Sequence, residues 1–294
     1  MKQFYLPEIT TKDGLVEQGI FYKPVSPGKK AMLWVHGLTG TFYGDTLIFN
    51  ELLEASKDLG LGFASFNNRG HDFLTGARKV DKATESGFSH VTIGAGVEKF
   101  EDCVFDIDAG ISFLESQGFS EIILVGHSTG ANKVCYYGGF QKDPRLTGII
   151  LVSPASDRLG KDIDKQKLAE DLRMMDELID KGKGDALVVG KTFFPLTPNR
   201  FISLYSPNTN EDVFDYGDQN PKLIFFSALT TPTLVVFGDK DEYLDRAPAD
   251  VQKIFDSRAK MKNYKSVILS GANHGYEGKE TEFAQTLVEW AKSI

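Results

Sequence analysis

The feature that most constrains this chain is a sharp turn around Ser128. Residues 126–130 read Gly-His-Ser-Thr-Gly and directly follow the apolar run 122–125. A turn of this kind, from a strand into a helix, strains the serine backbone and presents its hydroxyl above the end of a sheet. Glycine is expected on both sides because strand, turn and helix lie too close together for a Cβ atom. The pattern predicts that Ser128 is a covalent nucleophile in an acyl-transfer enzyme.

The pentapeptide alone is weak evidence for that chemistry. The chain has 29 glycines, so a serine between two of them can arise by chance. The alternative is a turn of small residues after a buried strand. The context favours a nucleophile, because an apolar run precedes the motif and residues 131–137 can continue as a helix without a breaker.

Composition excludes several classes of protein. The 294 residues are 41% apolar and 25% charged, which suits one large globular domain with an insertion. The net charge of −8, without a basic block, argues against a nucleic-acid partner. The sequence shows neither a signal-peptide pattern nor an apolar run of bilayer length. We therefore expect a cytoplasmic protein with no membrane partner, either monomer or homodimer, with Cys103 and Cys135 as buried free thiols.

Strands and helices alternate along most of the chain, which predicts an α/β fold with a mainly parallel, doubly wound sheet. Strands are expected at 31–35, 61–66, 122–125, 146–152, 233–237 and 266–269, after an N-terminal hairpin of 4–9 and 15–23. Helical spacing of apolar residues is found at 48–59, 100–114, 168–179 and 283–294. The fold class is therefore α/β.

The alternation breaks at residues 157–230, which contain one amphipathic helix, several prolines and many aromatic residues. We interpret this segment as a cap inserted into a core made of residues 1–156 and 231–294. Its aromatic residues predict an apolar or aromatic acyl group in the substrate. The candidate substrate-binding residues are Thr39, Phe193, Phe194 and Phe201. The alternative is that these aromatic residues form the interior of the cap itself.

A serine nucleophile needs a base within hydrogen-bond reach and a carboxylate that holds the base. Among the five histidines, His274 follows the last strand and precedes the last helix, where a loop returns to the carboxyl edge of the sheet. The other four are less suitable: His36 and His127 cannot easily turn toward the hydroxyl, His90 lies in a polar loop, and His71 suits a structural role. The acid is expected after the strand that ends at Phe237, with Asp241 preferred to Asp239. The order serine, aspartate, histidine fits an α/β hydrolase arrangement.

The negative oxygen that develops during acyl transfer needs two hydrogen-bond donors. The backbone N–H of Thr129, the residue after the nucleophile, is the expected first donor. The second is expected in the loop after the first buried core strand, where Leu38 is preferred and Thr39 is the alternative. Backbone donors of this kind are insensitive to the side chain that they carry.

Together these residues resemble the α/β-hydrolase superfamily. The resemblance is carried by His36-Gly37, residues 126–130, residues 238–241 and His274. A closer likeness, to a bacterial branch related to fungal siderophore esterases, is carried by Phe42-Tyr43-Gly44, residues 65–72 and Asn132-Lys133-Val134. The run His-Gly-Leu-Thr-Gly is also similar to the oxyanion loop of cinnamoyl and feruloyl esterases. One departure is Thr129, where many relatives carry Leu, Met or Gln.

The resemblance implies a carboxylic ester hydrolase. His274 would take the proton of Ser128, the oxyanion would rest on the Leu38 and Thr129 amides, and no metal or cofactor would be needed. The expected partner is a small-molecule ester. Two alternatives stay open: an amide or peptide hydrolase or acyltransferase on the same triad, and a non-catalytic binding protein on the same fold.

Overall fold

The computed structural model describes residues 3–160 and 163–294, so residues 1, 2, 161 and 162 of the predicted core and insertion lie outside it. The strands are β1 (Phe4–Tyr5), β2 (Glu8–Thr10), β3 (Val16–Tyr22), β4 (Lys30–Val35), β5 (Gly62–Phe66), β6 (Thr75–Val80), β7 (Phe88–Ile93), β8 (Glu121–His127), β9 (Leu146–Val152), β10 (Thr233–Gly238) and β11 (Tyr264–Leu269). The helices are α1 (Thr46–Ala55), α2 (Cys103–Ser116), α3 (Thr129–Gln141), α4 (Lys165–Asp180), α5 (Pro198–Tyr205), α6 (Ile224–Ala228), α7 (Pro248–Arg258) and α8 (Glu280–Ser293).

The central sheet has the strand order β1-β3-β5-β4-β8-β9-β10-β11, with β2 paired to β3. From β5 to β11 all neighbours in this order run parallel, whereas β1, β2 and β3 pair antiparallel. The predicted parallel sheet and the predicted N-terminal hairpin are both confirmed. Gly14 lies in the hairpin turn with φ 91°, a conformation that glycine adopts without steric cost.

Helices cover both faces of the sheet because the parallel strands are apolar on both sides. Along β8, Ile122 and Leu124 join the apolar core shared with α2, α3 and α7. Ile123 and Val125 point the other way, into the core shared with α1 and α8. The alternation of successive side chains thus supplies two cores from one continuous apolar run, which confirms the doubly wound arrangement.

Helix α3 continues beyond residue 137, through Gly138 and Gly139, to Gln141. A Cβ atom on Gly138 would lie 2.5 Å from Cδ1 of Ile149, and one on Gly139 would lie 2.4 Å from the carbonyl oxygen of Phe225. The two glycines therefore serve close packing of this helix against β9 and α6 rather than termination.

The 157–230 segment contains α4, α5 and α6. Some of its buried apolar residues form a separate cluster with Ala95 of the chain before α2, made of Met175, Phe194, Leu196, Phe201 and Leu204. The others join the core on the α2, α3 and α7 side of the sheet, namely Val213, Phe214, Tyr216, Leu223, Phe226 and Leu229. Helix α5 begins at Pro198 with the Thr197 side chain accepting from the Arg200 N–H, a regular N-terminal cap. That the segment acts as a cap stays a prediction.

The hairpin of β6 and β7, which pair antiparallel, was not predicted from the sequence. Its residues are mixed in polarity and half-buried or exposed, so they lack the apolar run that marks a core strand. Across the described residues, no helix is both long and apolar enough to cross a membrane.

Candidate active site

Ser128 lies between β8 and α3 with φ 58° and ψ −127°. A non-glycine residue at positive φ is strained and persists only where its surroundings fix it. A Cβ atom on Gly126 would lie 2.2 Å from the Gly130 carbonyl oxygen, and one on Gly130 would lie 2.1 Å from the Val35 carbonyl oxygen. The prediction that close packing excludes a Cβ atom at both positions is therefore confirmed.

His274 and Asp241 meet at the carboxyl edge of the sheet, after β11 and β10. The Nδ1 atom of His274 lies 2.9 Å from both carboxylate oxygens of Asp241, and both residues are buried. The carboxylate accepts the Nδ1 proton, which leaves Nε2 as the basic nitrogen of the ring. The pair has the geometry of a general base oriented by an acid.

The two neighbouring acids of this loop have other partners. Asp239 accepts from the Gly271 N–H at 2.6 Å and from the Ser270 hydroxyl at 3.3 Å, so it joins the loops after β10 and β11. Glu242 accepts from the backbone N–H of His274 at 3.0 Å. The structure thus brings Asp241, and not Asp239, to the histidine ring.

The Ser128 side chain is half-buried at the same edge. Among residues 3–160 and 163–294, no hydrogen bond joins its hydroxyl to His274. Such bonds are often long before substrate binds and tighten in the complex. The role of Ser128 as nucleophile stays a prediction.

The expected oxyanion donors lie on either side of Ser128. Within the described part of the chain, neither the Leu38 N–H nor the Thr129 N–H donates a hydrogen bond to another residue. Thr129 begins α3, whose first N–H groups have no partner inside the helix. A Cβ atom on Gly37 would lie 2.9 Å from the Ser128 Cβ atom, so the loop that carries Leu38 passes directly beside the serine. In the residues described, both N–H groups are therefore without a protein acceptor, as the predicted role requires.

His36 fixes the loop that carries Leu38 through two hydrogen bonds. Its Nε2 accepts from the Asn68 N–H at 3.2 Å, and its Nδ1 lies 2.9 Å from the Gly37 carbonyl oxygen. Burial and the nearby Lys133 ammonium lower the pKa of His36 to about 3, so the ring is neutral. The neutral ring donates from Nδ1 and accepts at Nε2, which matches its two partners.

The remaining histidines have separate places. His71 pairs with Asp72 at 2.9 Å, consistent with the structural role expected for it. His90 lies on β7 and is exposed, so the expectation that it belongs to a loop was wrong. His127 is buried behind the site, with its Nε2 2.9 Å from the His274 carbonyl oxygen.

A network of buried charges lies beside α3 and was missed by sequence reasoning. Lys133 pairs with Glu98, and Arg200 pairs with Glu211 and, at 3.3 Å, with Glu98. All four side chains are at most 2% exposed. Burial alone would raise the pKa of Glu98, but the charges of Lys133 and Arg200 hold that pKa below its usual value. The signal in the sequence was a lysine in an otherwise uncharged, well-buried helix.

The network joins the 157–230 segment to α3 and to the chain before α2. Arg200 of α5 donates from Nε to the Ala95 carbonyl oxygen at 2.8 Å. Asn132 of α3 donates from Nδ2 to the Glu211 carbonyl oxygen at 3.3 Å. Because a buried charge without its partner is costly, these pairs fix the segment against the helix that follows Ser128.

The candidate substrate-binding residues lie in different environments. Phe194 and Phe201 are 1% and 2% exposed and belong to the interior of the 157–230 segment, whereas Phe193 is 71% exposed. Leu38 packs against that interior. Phe73, which the sequence did not single out, is 46% exposed and stacks on Phe194 with ring centroids 5.8 Å apart.

Thr39 follows Leu38 with φ 59° and bridges to His71. Phe73 and Phe193 contact each other edge to face, with centroids 5.8 Å apart. Since Phe73 lies two residues beyond His71, which bridges to Thr39, an exposed aromatic pair lies near the loop that carries Leu38 and Thr39.

The two cysteines are buried free thiols, as expected. Burial raises the pKa of both Cys103 and Cys135 well above the ordinary range, so neither is a reactive thiolate. In the residues that the structure describes, no cluster of three or more His, Cys, Asp or Glu side chains is arranged to hold a metal ion.

The parallel sheet, the strained serine turn and the histidine–aspartate pair define the α/β-hydrolase fold, and comparison with solved structures supports this. Est1E from Butyrivibrio proteoclasticus, with ferulic acid bound, superposes with a TM-score of 0.64 at 18% identity, covering 97% of this chain and 98% of that one. The siderophore hydrolase EstB from Aspergillus fumigatus gives a TM-score of 0.67 at 16% identity, covering 98% of each chain. Esterase Pf2001 from Pyrococcus furiosus gives 0.60 at 16%, covering 99% and 91%. The predicted fold class and the resemblance to α/β hydrolases are confirmed.

The chain belongs to the family described as a protein of unknown function (DUF1749), which matches residues 82–293. A comparison with curated protein sequences gives no match. At 14–18% identity, the solved structures establish the fold alone.

Proposed function

We propose that this protein is a serine hydrolase that cleaves carboxylic esters of small molecules through a covalent acyl-enzyme. One observation carries the proposal: His274, oriented by Asp241 at 2.9 Å, lies at the same sheet edge as Ser128, whose backbone is held at φ 58°. A nucleophile, a base and an orienting acid in this chain order are the parts that acyl transfer requires.

In the proposed reaction, Ser128 Oγ attacks the ester carbonyl carbon while its proton passes to Nε2 of His274. The oxyanion is stabilised by the N–H groups of Leu38 and Thr129, and removal of one such donor typically costs about 3 kcal/mol. The alcohol leaves with the proton from His274. Water then attacks the acyl carbon, gives a proton back through His274 to Ser128, and releases the carboxylic acid.

We further propose that residues 157–230 act as a cap that contributes to the acyl pocket. The contact between Leu38 and the apolar interior of this segment supports the proposal, because it places the segment beside the oxyanion loop. Phe193 is the aromatic residue best placed for ligand contact, since Phe194 and Phe201 are buried. Thr39, which follows Leu38, stays a candidate as well. Ferulic acid bound to a similar fold supports an aromatic acyl group.

The deciding experiment is pre-steady-state hydrolysis of p-nitrophenyl acetate and butyrate by wild type, Ser128→Ala and His274→Ala. We expect a burst of p-nitrophenol in wild type that is absent in Ser128→Ala, with His274→Ala slowed by several decades. Turnover that is unchanged in Ser128→Ala would refute the proposed mechanism. The matching anilide substrates test the amide-hydrolase alternative.

The pocket is tested by the ratio of kcat/KM for aromatic and acetyl esters. Phe193→Ala is expected to lower that ratio by about tenfold, since one lost apolar contact is worth about 1–3 kcal/mol. Phe140→Ala is the matched control, because this phenylalanine is also exposed but lies at the far end of α3. An unchanged ratio in Phe193→Ala would remove Phe193 from the pocket.

A further inference from the structure

The backbone carbonyl of His274 is held by two buried side chains from neighbouring strands. Nε2 of His127 lies 2.9 Å from the carbonyl oxygen, and Oγ of Ser153 lies 3.1 Å from it. His127 ends β8 directly before Ser128, and Ser153 directly follows β9. They are 9% and 0% exposed. Strand β8, which ends directly before the candidate nucleophile, thus also binds the backbone of His274, the candidate base.

We propose that His127 is a positioning residue, which with Ser153 fixes the His274 backbone so that the imidazole faces Ser128. The inference rests on the proposed function, because it concerns the same site. A carbonyl oxygen only accepts hydrogen bonds, so Nε2 of His127 must carry a proton. Nδ1 lies 4.0 Å from the Asp45 carboxylate, too far for a hydrogen bond. Burial lowers the pKa of His127, which favours the neutral ring with its single proton on Nε2.

His127 carries more of this task than Ser153. The single hydroxyl proton of Ser153 has two acceptors, the His274 carbonyl oxygen and the Tyr276 hydroxyl at 3.0 Å. The Tyr276 hydroxyl in turn donates to the Val236 carbonyl oxygen at 3.1 Å. The Nε2 proton of His127 has only the His274 carbonyl as a partner among the described residues. The hydrogen bond from His127 to the His274 carbonyl therefore does not compete with a second acceptor.

Ser153 shows independently that this region is constrained. Its φ of 46° is in the left-handed region, where a serine persists only if its surroundings dictate it. Its N–H donates to the Val236 carbonyl oxygen at 2.8 Å, so the strained residue is fastened at its backbone as well as at its hydroxyl.

The imidazole itself is held by the buried Asp241 carboxylate, and the other supports of His274 come from its solvent side. Glu242, which binds its N–H, and Tyr243, whose ring meets the imidazole edge to face with centroids 4.6 Å apart, are both exposed. Exposed contacts hold a side chain less firmly, because water competes for them. The buried contacts from His127 and Ser153 are thus the rigid support of the His274 backbone, as Asp241 is of its ring. Displacement of a catalytic group by about 1 Å can cost about 100-fold in rate.

The test compares His127→Gln with His127→Asn. The amide nitrogen of glutamine reaches about as far as Nε2 of histidine and can donate to the His274 carbonyl, whereas asparagine carries the same amide one bond shorter. Against p-nitrophenyl butyrate we expect His127→Asn to lower kcat by about 10- to 100-fold with KM within about threefold. We expect His127→Gln to recover most of the loss, and Ser153→Ala to lower kcat by less than His127→Asn.

His90→Asn is the matched control, because this histidine is exposed on β7. The positioning role would be overturned by equal kcat in His127→Gln and His127→Asn. It would also be overturned if His127→Asn raised KM and left kcat unchanged. The same holds if the loss in His127→Asn equals the fraction of unfolded protein measured by circular dichroism. Failure of the proposed function is recognised separately, since Ser128→Ala would then retain the wild-type turnover.

Discussion

Glu17 provides a sharp test of how burial controls stability in this fold. It lies on β3 with 3% exposure, and neither carboxylate oxygen accepts a hydrogen bond from a described donor. A small cavity of about 20 Å³ lies beside it, also lined by Asn68 and Asp106. Burial first, and then the Asp106 carboxylate, raise the pKa of Glu17 well above its usual value.

The sign of the effect on stability follows from linkage. The native protein keeps a proton on Glu17 at pH values where the unfolded chain, with a pKa of about 4.3, has lost it. Stability due to this group is therefore full at acidic pH and is lost as pH rises toward the native pKa. The loss amounts to about 1.4 kcal/mol per pH unit in that window. Glu17→Gln removes the titration at nearly constant volume.

The free energy of unfolding is measured by urea denaturation of wild type and Glu17→Gln at about pH 5 and about pH 7. We expect Glu17→Gln to be more stable than wild type at about pH 7. The difference in the free energy of unfolding between variant and wild type should grow by up to about 2.7 kcal/mol from the lower pH to the higher. Glu8→Gln is the matched control, since Gln18 and Arg78 lower the pKa of that exposed glutamate and the difference should not grow. Parallel pH dependence of wild type and Glu17→Gln would refute the reasoning.

Three further predictions concern the site. Asp241→Asn should lower kcat by about 10⁴-fold, because the amide can hold the wrong tautomer of the base, whereas Asp239→Asn should change it by less than tenfold; steady-state kinetics decide. Gly130→Ala should destabilise the protein by about 1–3 kcal/mol in urea denaturation, since its Cβ would lie 2.1 Å from the Val35 carbonyl oxygen; unaltered stability would contradict this. Lys133→Met should cost about 3 kcal/mol, because the buried Glu98 then loses its lysine partner and keeps only the 3.3 Å pair with Arg200. Lys142→Met, at an exposed residue directly after α3, is the control, and equal effects would contradict the argument.

Much of the sheet and the principal residues of the site could be predicted because their signals are local. An apolar run followed by Gly-His-Ser-Thr-Gly defines a strand, a turn and a helix within ten residues. His274 and Asp241 follow predicted strands, and the carboxyl ends of parallel strands meet at one edge. Their 2.9 Å contact is therefore a consequence of topology that the sequence already determines.

The buried charges could not be predicted in the same way. Glu98, Lys133 and Arg200 come from three separate parts of the chain, and each alone resembles an ordinary solvent-exposed charge. The hydrogen bond from His127 to His274 likewise joins residues 147 positions apart. Such contacts depend on side-chain directions that only the packed structure defines. The alternation of charged and apolar residues carries no information about them.

The ion pairs through which Glu98 links Arg200 of α5 to Lys133 of α3 have a consequence for protein engineering. Exchange of residues 157–230 for the corresponding segment of another α/β hydrolase would remove Arg200 and Glu211 while leaving Glu98 and Lys133 in place. A chimera must therefore carry all four positions together, or replace all four by apolar residues of matching volume. In this protein the unit of recombination is larger than the insertion, because it includes two residues of the scaffold that receives it.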